Sequence, residues 1–381
     1  MAVVMSTGPS TSRAHFTRDF GTVTLSGAGT YEYVTVRYTV KNSSSQTLGL
    51  TEERYNPQGG KVTLEGVGLL VEPYYVLPSL GAPLLAGGIA ASTSGRNLTL
   101  QVDVYAPEST TSLLTLTWTL YYSRVRTNLN LAADVGFLGR HGDRMVSPGQ
   151  DVRLYFIGHG TETVTVGIQY MEGGVPKTKT CTVNDHTSGM MIGVLLSPDK
   201  VAHSAGSGVK ATDIVAYSVK MTVGGETVDY ANYRVRRQSE QTTHLLFHDC
   251  FGNPDSVVLA GRLERSTELD GDYMVSGGQY LKTHTELTEK HTASSGYVYA
   301  ADREAILDLC ESDDVELYDE TGMDRVTIVE IDDAAVTPKL EPFALKVTFR
   351  RSGETQRRYA RTHATEENLR IFDATFDATF E

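Results

Sequence analysis

Arg140-His141-Gly142-Asp143-Arg144 sets a histidine among arginines, the order that lets an imidazole take up a phosphoryl group while guanidiniums hold its oxygens. His244, His248, Asp249 and Cys250 are residue types that bind zinc, and the two histidines stand four apart. Glu311, Asp313, Asp314 and Glu316, with Asp332 and Asp333 further on, are the oxygen donors a hard cation takes. Paired carboxylates also suit glycoside hydrolysis. Phosphoryl transfer, metal binding and carboxylate catalysis are thus the chemistries to weigh.

Each group has a plainer reading. In histidine phosphatases the matching motif follows a buried strand near the start of an α/β chain. This copy sits in a β-rich segment, with Val146 where a proline or small residue usually follows. It is expected to be a polar turn ahead of Ser147-Pro148-Gly149, with a phosphatase resting on residues 140–144 kept only as a remote alternative. Positions i and i+4 share a face on a helix and on a strand, so spacing alone does not decide whether His244 and His248 bind a metal. No third and fourth ligand follows at recognisable spacing, and no metal is expected there. The acidic residues form no EF-hand pattern, and a solvated or subunit-facing patch is expected there. No Walker loop, dinucleotide fingerprint, GxSxG elbow or HExxH occurs. The sequence therefore predicts a protein that is not an enzyme and carries no cofactor.

The elements that must position these residues are mostly strands. The chain has 381 residues, 40% of them hydrophobic, and a composition rich in threonine, valine and tyrosine. The sequence predicts a mainly β fold of tandem antiparallel β-sandwich-like domains, with a C-terminal α+β domain containing one short helix. The expected divisions are an N-terminal arm (1–20), a β-sandwich-like domain (21–128), a second one (129–242), an α+β domain (243–364) and a tail (365–381). Leu98, Leu100, Val102 and Val104 alternate with polar residues, as do Leu114, Leu116, Trp118 and Leu120. Trp118 is expected to anchor a core. Gly173-Gly174 and Gly224-Gly225 separate strand-like runs and suit two-residue hairpin loops. In the third domain Asp302 can cap a helix that buries Ala305, Ile306, Leu309 and Cys310, leaving Asp308 and Glu311 to face water.

Charge is unevenly spread. Of the formal −13, residues 300–341 hold 14 acidic and 3 basic side chains, a local charge of −11, and residues 342–363 follow with +5. A near-neutral chain with one acidic stretch argues against nucleic acid or an anionic membrane as partner. No run approaches the ~18–20 apolar residues of a membrane helix. No signal peptide is recognisable in residues 1–20. Cys181, Cys250 and Cys310 are widely spaced and odd in number, which predicts free thiols in a reducing compartment.

Three segments each carry a pattern of their own. They are Tyr55-Asn56-Pro57-Gln58-Gly59-Gly60-Lys61-Val62-Thr63-Leu64 with Gly68-Leu69-Leu70-Val71-Glu72-Pro73-Tyr74, then Phe251-Gly252-Asn253-Pro254-Asp255-Ser256-Val257, then Leu309-Cys310-Glu311-Ser312-Asp313-Asp314-Val315-Glu316-Leu317. Together they resemble tail and other virion structural proteins of tailed bacteriophages and prophages of gut Bacteroidales-type bacteria. The resemblance implies a structural component of the virion, in tail or baseplate, made in the host cytoplasm. Its partners would be copies of itself and other phage subunits. The charge pattern suits such assembly: Asp308, Glu311, Asp313 and Asp314 of one copy would meet Arg350, Arg351, Arg357 and Arg358 of the next around a ring. Phe372, Phe376 and Phe380 recur every fourth residue and would form a strand edge, dock on another subunit or fold back on their own domain. The alternative is a bacterial surface or carbohydrate-binding β-sandwich protein.

Overall fold

A computed structural model describes residues 2–81, 89, 91–94, 96–127, 129–131, 133–139, 141–183, 187–236, 242–276, 278–282, 286–319, 322–333 and 343–352. Arg140, Arg357, Arg358, Phe372, Phe376 and Phe380 lie outside the described residues. The fold is mainly β, and the alternating segments of the sequence are its strands.

The first block contains β1 (Val4–Thr7), β2 (Ala14–Phe16), β3 (Val23–Ser26), β4 (Val34–Lys41), β5 (Thr47–Tyr55) and β6 (Lys61–Leu64). Three further strands follow in the chain, β7 (Ala91–Ser94), β8 (Asn97–Tyr105) and β9 (Ser112–Tyr121). Two sheets, ordered β1-β3-β6 and β2-β9-β8-β4-β5, close on a core of Val23, Leu25, Leu64, Val36, Tyr38, Leu100, Val102 and Trp118. Trp118 is buried as expected, donates Nε1–H to the Pro9 carbonyl at 3.0 Å and meets Phe20 edge-on. Residues 1–20 are not an irregular arm: β1 pairs with β3, and β2 adds to β9 in parallel. Their apolar anchors Val3, Phe16 and Phe20 are buried but irregularly spaced, so no periodicity marks the strands. Gly68, in the 3-10 helix Val67–Tyr74, lets this segment close in, since a Cβ there would stand 2.3 Å from the Thr17 carbonyl oxygen.

β7 leaves the first block and pairs with a strand of the second, across the division expected at residue 128. The second block comprises β10 (Phe137–Leu138), β11 (Asp143–Val146), β12 (Arg153–Ile157), β13 (Glu162–Glu172), β14 (Val175–Val183) and β15 (Met191–Leu195). It ends with α1 (Pro198–Ala205), β16 (Ile214–Val223) and β17 (Glu226–Val235). Its sheets run β10-β12-β15-β7 and β11-β17-β16-β13-β14, with β11 parallel to β17 and the other pairs antiparallel. Both Gly-Gly steps are hairpin loops, and all four glycines have positive φ, from 59° to 90°. The helix α1 is too short for a legible period, although Pro198 opens it and Val201, Ala202 and Ala205 pack it down.

The third block holds β18 (Thr243–His248), β19 (Pro254–Leu259), β20 (Leu263–Asp270), β21 (Tyr273–Ser276), β22 (Gln279–Lys282) and β23 (Glu286–Val298). α2 (Ala300–Cys310), β24 (Val315–Asp319), β25 (Gly322–Asp333) and β26 (Phe343–Arg351) complete it. Seven strands form one antiparallel sheet, β19-β18-β24-β25-β26-β23-β20, and β21-β22 is a separate hairpin. α2 lays Ala305, Ile306 and Leu309 against Leu245, Phe247, Val347 and Phe349. Two details of the expected helix change. Asp302 does cap the helix, but from the third position of its first turn, accepting the N–H of the N-cap residue Tyr299 at 3.1 Å. Asp308 does not face water, because Arg124 and the backbone of Cys250 hold it. The acidic and basic segments also meet within one copy, since β25 pairs with β26 and Arg351 reaches Asp324 at 2.9 Å.

Gly68→Ala should destabilise the protein by about 1–3 kcal/mol through overpacking against the N-terminal segment. Urea unfolding checks this; an unchanged midpoint would mean the segment is not held there.

Candidate functional site

The residues singled out by their chemistry come from three distant parts of the chain, and several converge on one buried junction. Arg144 arrives on β11, Asp249 on the turn after β18, Asp255 on β19, and Asp302 and Asp308 on α2. Arg144, Asp249, Asp255 and Asp308 line an enclosed space of about 30 Å³, with Arg153, Tyr155 and Tyr233 on its other walls. That is room for a water or two, not for a substrate.

Arg144 is the centre. Its Nη1 donates to Asp255 at 3.2 Å, its Nη2 lies 3.4 Å from the Ser256 carbonyl, and its Nε is 3.8 Å from Asp302. Burial works against the guanidinium, but Asp255 and Asp302 outweigh it and hold Arg144 charged, above its ordinary value. On the carboxylates burial is the larger influence, raising both Asp255 and Asp302 against the pull of Arg144. Asp302 also accepts the Met145 N–H at 3.0 Å, so one side chain joins the start of α2 to β11. Around it, Gln150 donates to the Ser256 carbonyl at 3.1 Å and Tyr155 to the Pro254 carbonyl at 3.0 Å.

Asp249 organises the adjoining turn. Its Oδ1 accepts the N–H groups of Phe251 and Asn253 at 2.9 and 2.7 Å, and its Oδ2 accepts from the Asn253 side chain. Asn253 in turn accepts from Arg96, whose guanidinium also reaches the Gly252 carbonyl at 3.0 Å. Burial, aided by the nearby Asp308, pushes the Asp249 carboxyl up to about 7. Asp308 receives Arg124 at 3.2 Å and the Cys250 N–H at 3.2 Å, while the Arg124 backbone N–H donates to the Cys250 carbonyl at 2.7 Å. Arg96 and Arg124 belong to the first block, so all three blocks meet here.

The geometry answers the chemistry read from sequence. His141 has both ring nitrogens facing acceptors, Asp229 at 2.8 Å and the Gly139 carbonyl at 3.2 Å. Burial opposes the imidazolium, yet Asp229 and Gly139 raise its pKa. A nucleophilic histidine needs a free ring nitrogen, and a phosphate needs Arg144, which two carboxylates already hold. His244 and His248 lie on β18, a strand running into a turn as expected. His248 contacts the Pro78 carbonyl through Nε2 at 2.7 Å, its Nδ1 lies 3.4 Å from Asp314, and burial lowers its pKa. His244 contacts Thr242 at 3.1 Å. Among the described residues no three potential ligands gather to hold a metal ion. Among the described residues Cys181, Cys250 and Cys310 form no disulfide. Of the expected interface residues, Glu311, Asp313 and Arg350 are exposed, Asp314 lies 3.5 Å from Arg325, and Asp308 and Arg351 are partnered as described.

Arg96 and Arg124 carry no motif, and Asp255, though part of the segment 251–257 that carries the resemblance, was not legible as a site residue in the sequence. Their only signal is charge within otherwise strand-like stretches.

Arg144→Met should cost about 3–5 kcal/mol in urea unfolding, because two buried carboxylates lose their counter-charge. Adding Asp255→Asn and Asp302→Asn should recover much of it, and a loss below about 1 kcal/mol would contradict the burial described. Asp249 binds its proton more tightly folded than unfolded. Its contribution to stability is therefore full below the ordinary carboxylate value of ~3.9 and is lost as pH climbs through about 7. Asp249→Asn should accordingly gain on the parent protein between pH 5 and 7 and level off above. A stability difference that stays flat across that range would rule out the raised carboxyl.

No protein-family model matches the chain, and no curated protein matches it. Among solved structures it is similar to the calcium binding domain CBD12 of CALX1.1, at 6% identity over 62% of this chain and 100% of that one. The TM-score is 0.19, too low to carry an argument about fold or function. Among the described residues no helix is long and apolar enough to cross a membrane.

Proposed function

We propose that the chain is a structural subunit of a tailed phage virion, in tail or baseplate, acting by assembly with copies of itself and other virion subunits rather than by catalysis. The observation that supports this most is where the polar residues are used. The arginines and aspartates that could do chemistry cross-link three β blocks into one body around a space too small for a substrate. What that body offers outward is long strand edges.

β5, β14 and β20 are each terminal in their sheets, nine, nine and eight residues long. Exposed apolar side chains lie along them, Leu50 on β5, Val175 on β14 and Leu269 on β20. Unpaired edges of this length are templates for a neighbouring chain, and Pro176 with Lys177 and Lys179 restrains the β14 edge from indiscriminate pairing. A three-block body with open edges suits a ring or stacked-ring component, in which each copy meets its neighbours through fixed surfaces.

Particles purified from cells that make this chain should contain it at a fixed ratio to the other subunits, by quantitative mass spectrometry. Its absence from the particles, together with saturable glycan binding by the free chain, would instead favour a carbohydrate-binding surface protein.

A further inference from the structure

The outer face of the β11-β17-β16-β13 part of the sheet carries two adjoining depressions, each of about 470 Å³, that meet at Val215. Both are within the ~300–1,000 Å³ usual for binding clefts. One half is apolar, with Met171, Val215 and Val235 on its walls, and Met171 and Val215 are 38% and 50% exposed. The other half is polar and carries Lys220 and Arg234 beside Ser218.

The cations of this cleft are under-used. Among the described residues neither Lys220 nor Arg234 makes an ion pair; Arg234 faces the Tyr299 ring at 5.8 Å. Arg236, lining the apolar half, has a buried Nε with no hydrogen-bond partner among the described residues. The two acids present are engaged locally, Asp143 by the Asn232 amide at 2.9 Å and Asp213 by the Lys210 N–H at 2.8 Å. The cleft therefore asks for an elongated ligand that is apolar along one side and acidic along the other.

One segment of this chain has that pattern. In residues 372–381, Phe372, Ala374, Phe376, Ala378 and Phe380 alternate with Asp373, Thr375, Asp377, Thr379 and Glu381, and no basic residue interrupts them. Extended, such a sequence puts phenylalanines on one side and carboxylates on the other, successive phenylalanines standing about 13 Å apart.

We propose that the cleft centred on Val215 receives residues 372–381 of a second copy of this chain, in a head-to-tail contact. Phenylalanine enters the half walled by Met171, Val215 and Val235, and the aspartates reach Lys220, Arg234 and Arg236. Because donor segment and acceptor cleft are different surfaces, the contact propagates into a ring or filament. This rests on the assembly reading of the preceding subsection and supplies its contact.

The test is the mass of the full-length protein by light scattering across a concentration series. The parent chain should assemble, while Lys220→Glu with Arg234→Glu, and separately Phe376→Ser, should each weaken assembly at least tenfold. Combining the cleft reversal with Asp373→Lys and Asp377→Lys should restore it, which a merely misfolded variant would not allow. A parent chain that stays monomeric, whether or not its own segment fills the cleft, overturns the proposal. So does assembly indifferent to the variants, or a cleft that binds an acidic saccharide while assembly is unchanged. If particles contain the chain but its assembly ignores these variants, the cleft assignment falls and the structural-subunit reading stands. Absence from particles sinks that reading whatever the cleft binds.

Discussion

A guanidinium removed from water must be compensated where it lies, and Arg144 sets that demand on the whole molecule. Its compensation comes from Asp255 on β19 and Asp302 on α2, residues more than a hundred positions away. Satisfying one charge thus fixes the second block against two separate elements of the third. Removing a single partner leaves a buried ion exposed to a low-dielectric surrounding, so the network tolerates little partial disruption. The carboxylates cannot drift either, because Asp302 also holds the Met145 backbone and Asp255 the Ser256 backbone.

The first block is tied in by a different logic. Arg96 reaches the Gly252 carbonyl and the Asn253 side chain in the turn following β18, while Arg124 spans from the His248 carbonyl at the end of β18 to the Asp308 carboxylate on α2. Asp249 shapes that turn by gathering three donors onto one carboxyl. The turn is therefore a keyed surface between blocks.

Local patterns were legible and distant ones were not. Alternation at Leu98 to Val104 marked a strand whose inward residues are buried, and the two Gly-Gly steps marked their hairpins correctly. The face of α2 was readable from Ala305, Ile306 and Leu309. By contrast β1 and β2 gain their pairing from strands elsewhere, and their own residues show no period. The sequence-derived groups around Arg144, Asp249 and Asp308 each looked like a separate candidate site. Nothing in their spacing says that they share one cavity, since that depends on sheet packing between blocks. Helical phase turns Asp308 away from Leu309 and so towards water, but Arg124 from the first block covers that side.

The strand β7 has a consequence for how the chain is made. It lies between β6 and β8 in sequence yet belongs to a sheet whose other members are β10, β12 and β15. During synthesis the strands of the first sandwich can all be in place once β9 has emerged, while β7 still waits for β15. Until then four residues with strand character stand beside a finished sandwich without a partner. The first block can reach its own packing early, but its surface is completed only by the second. The order of translation and the order of folding therefore cannot coincide along this stretch of chain.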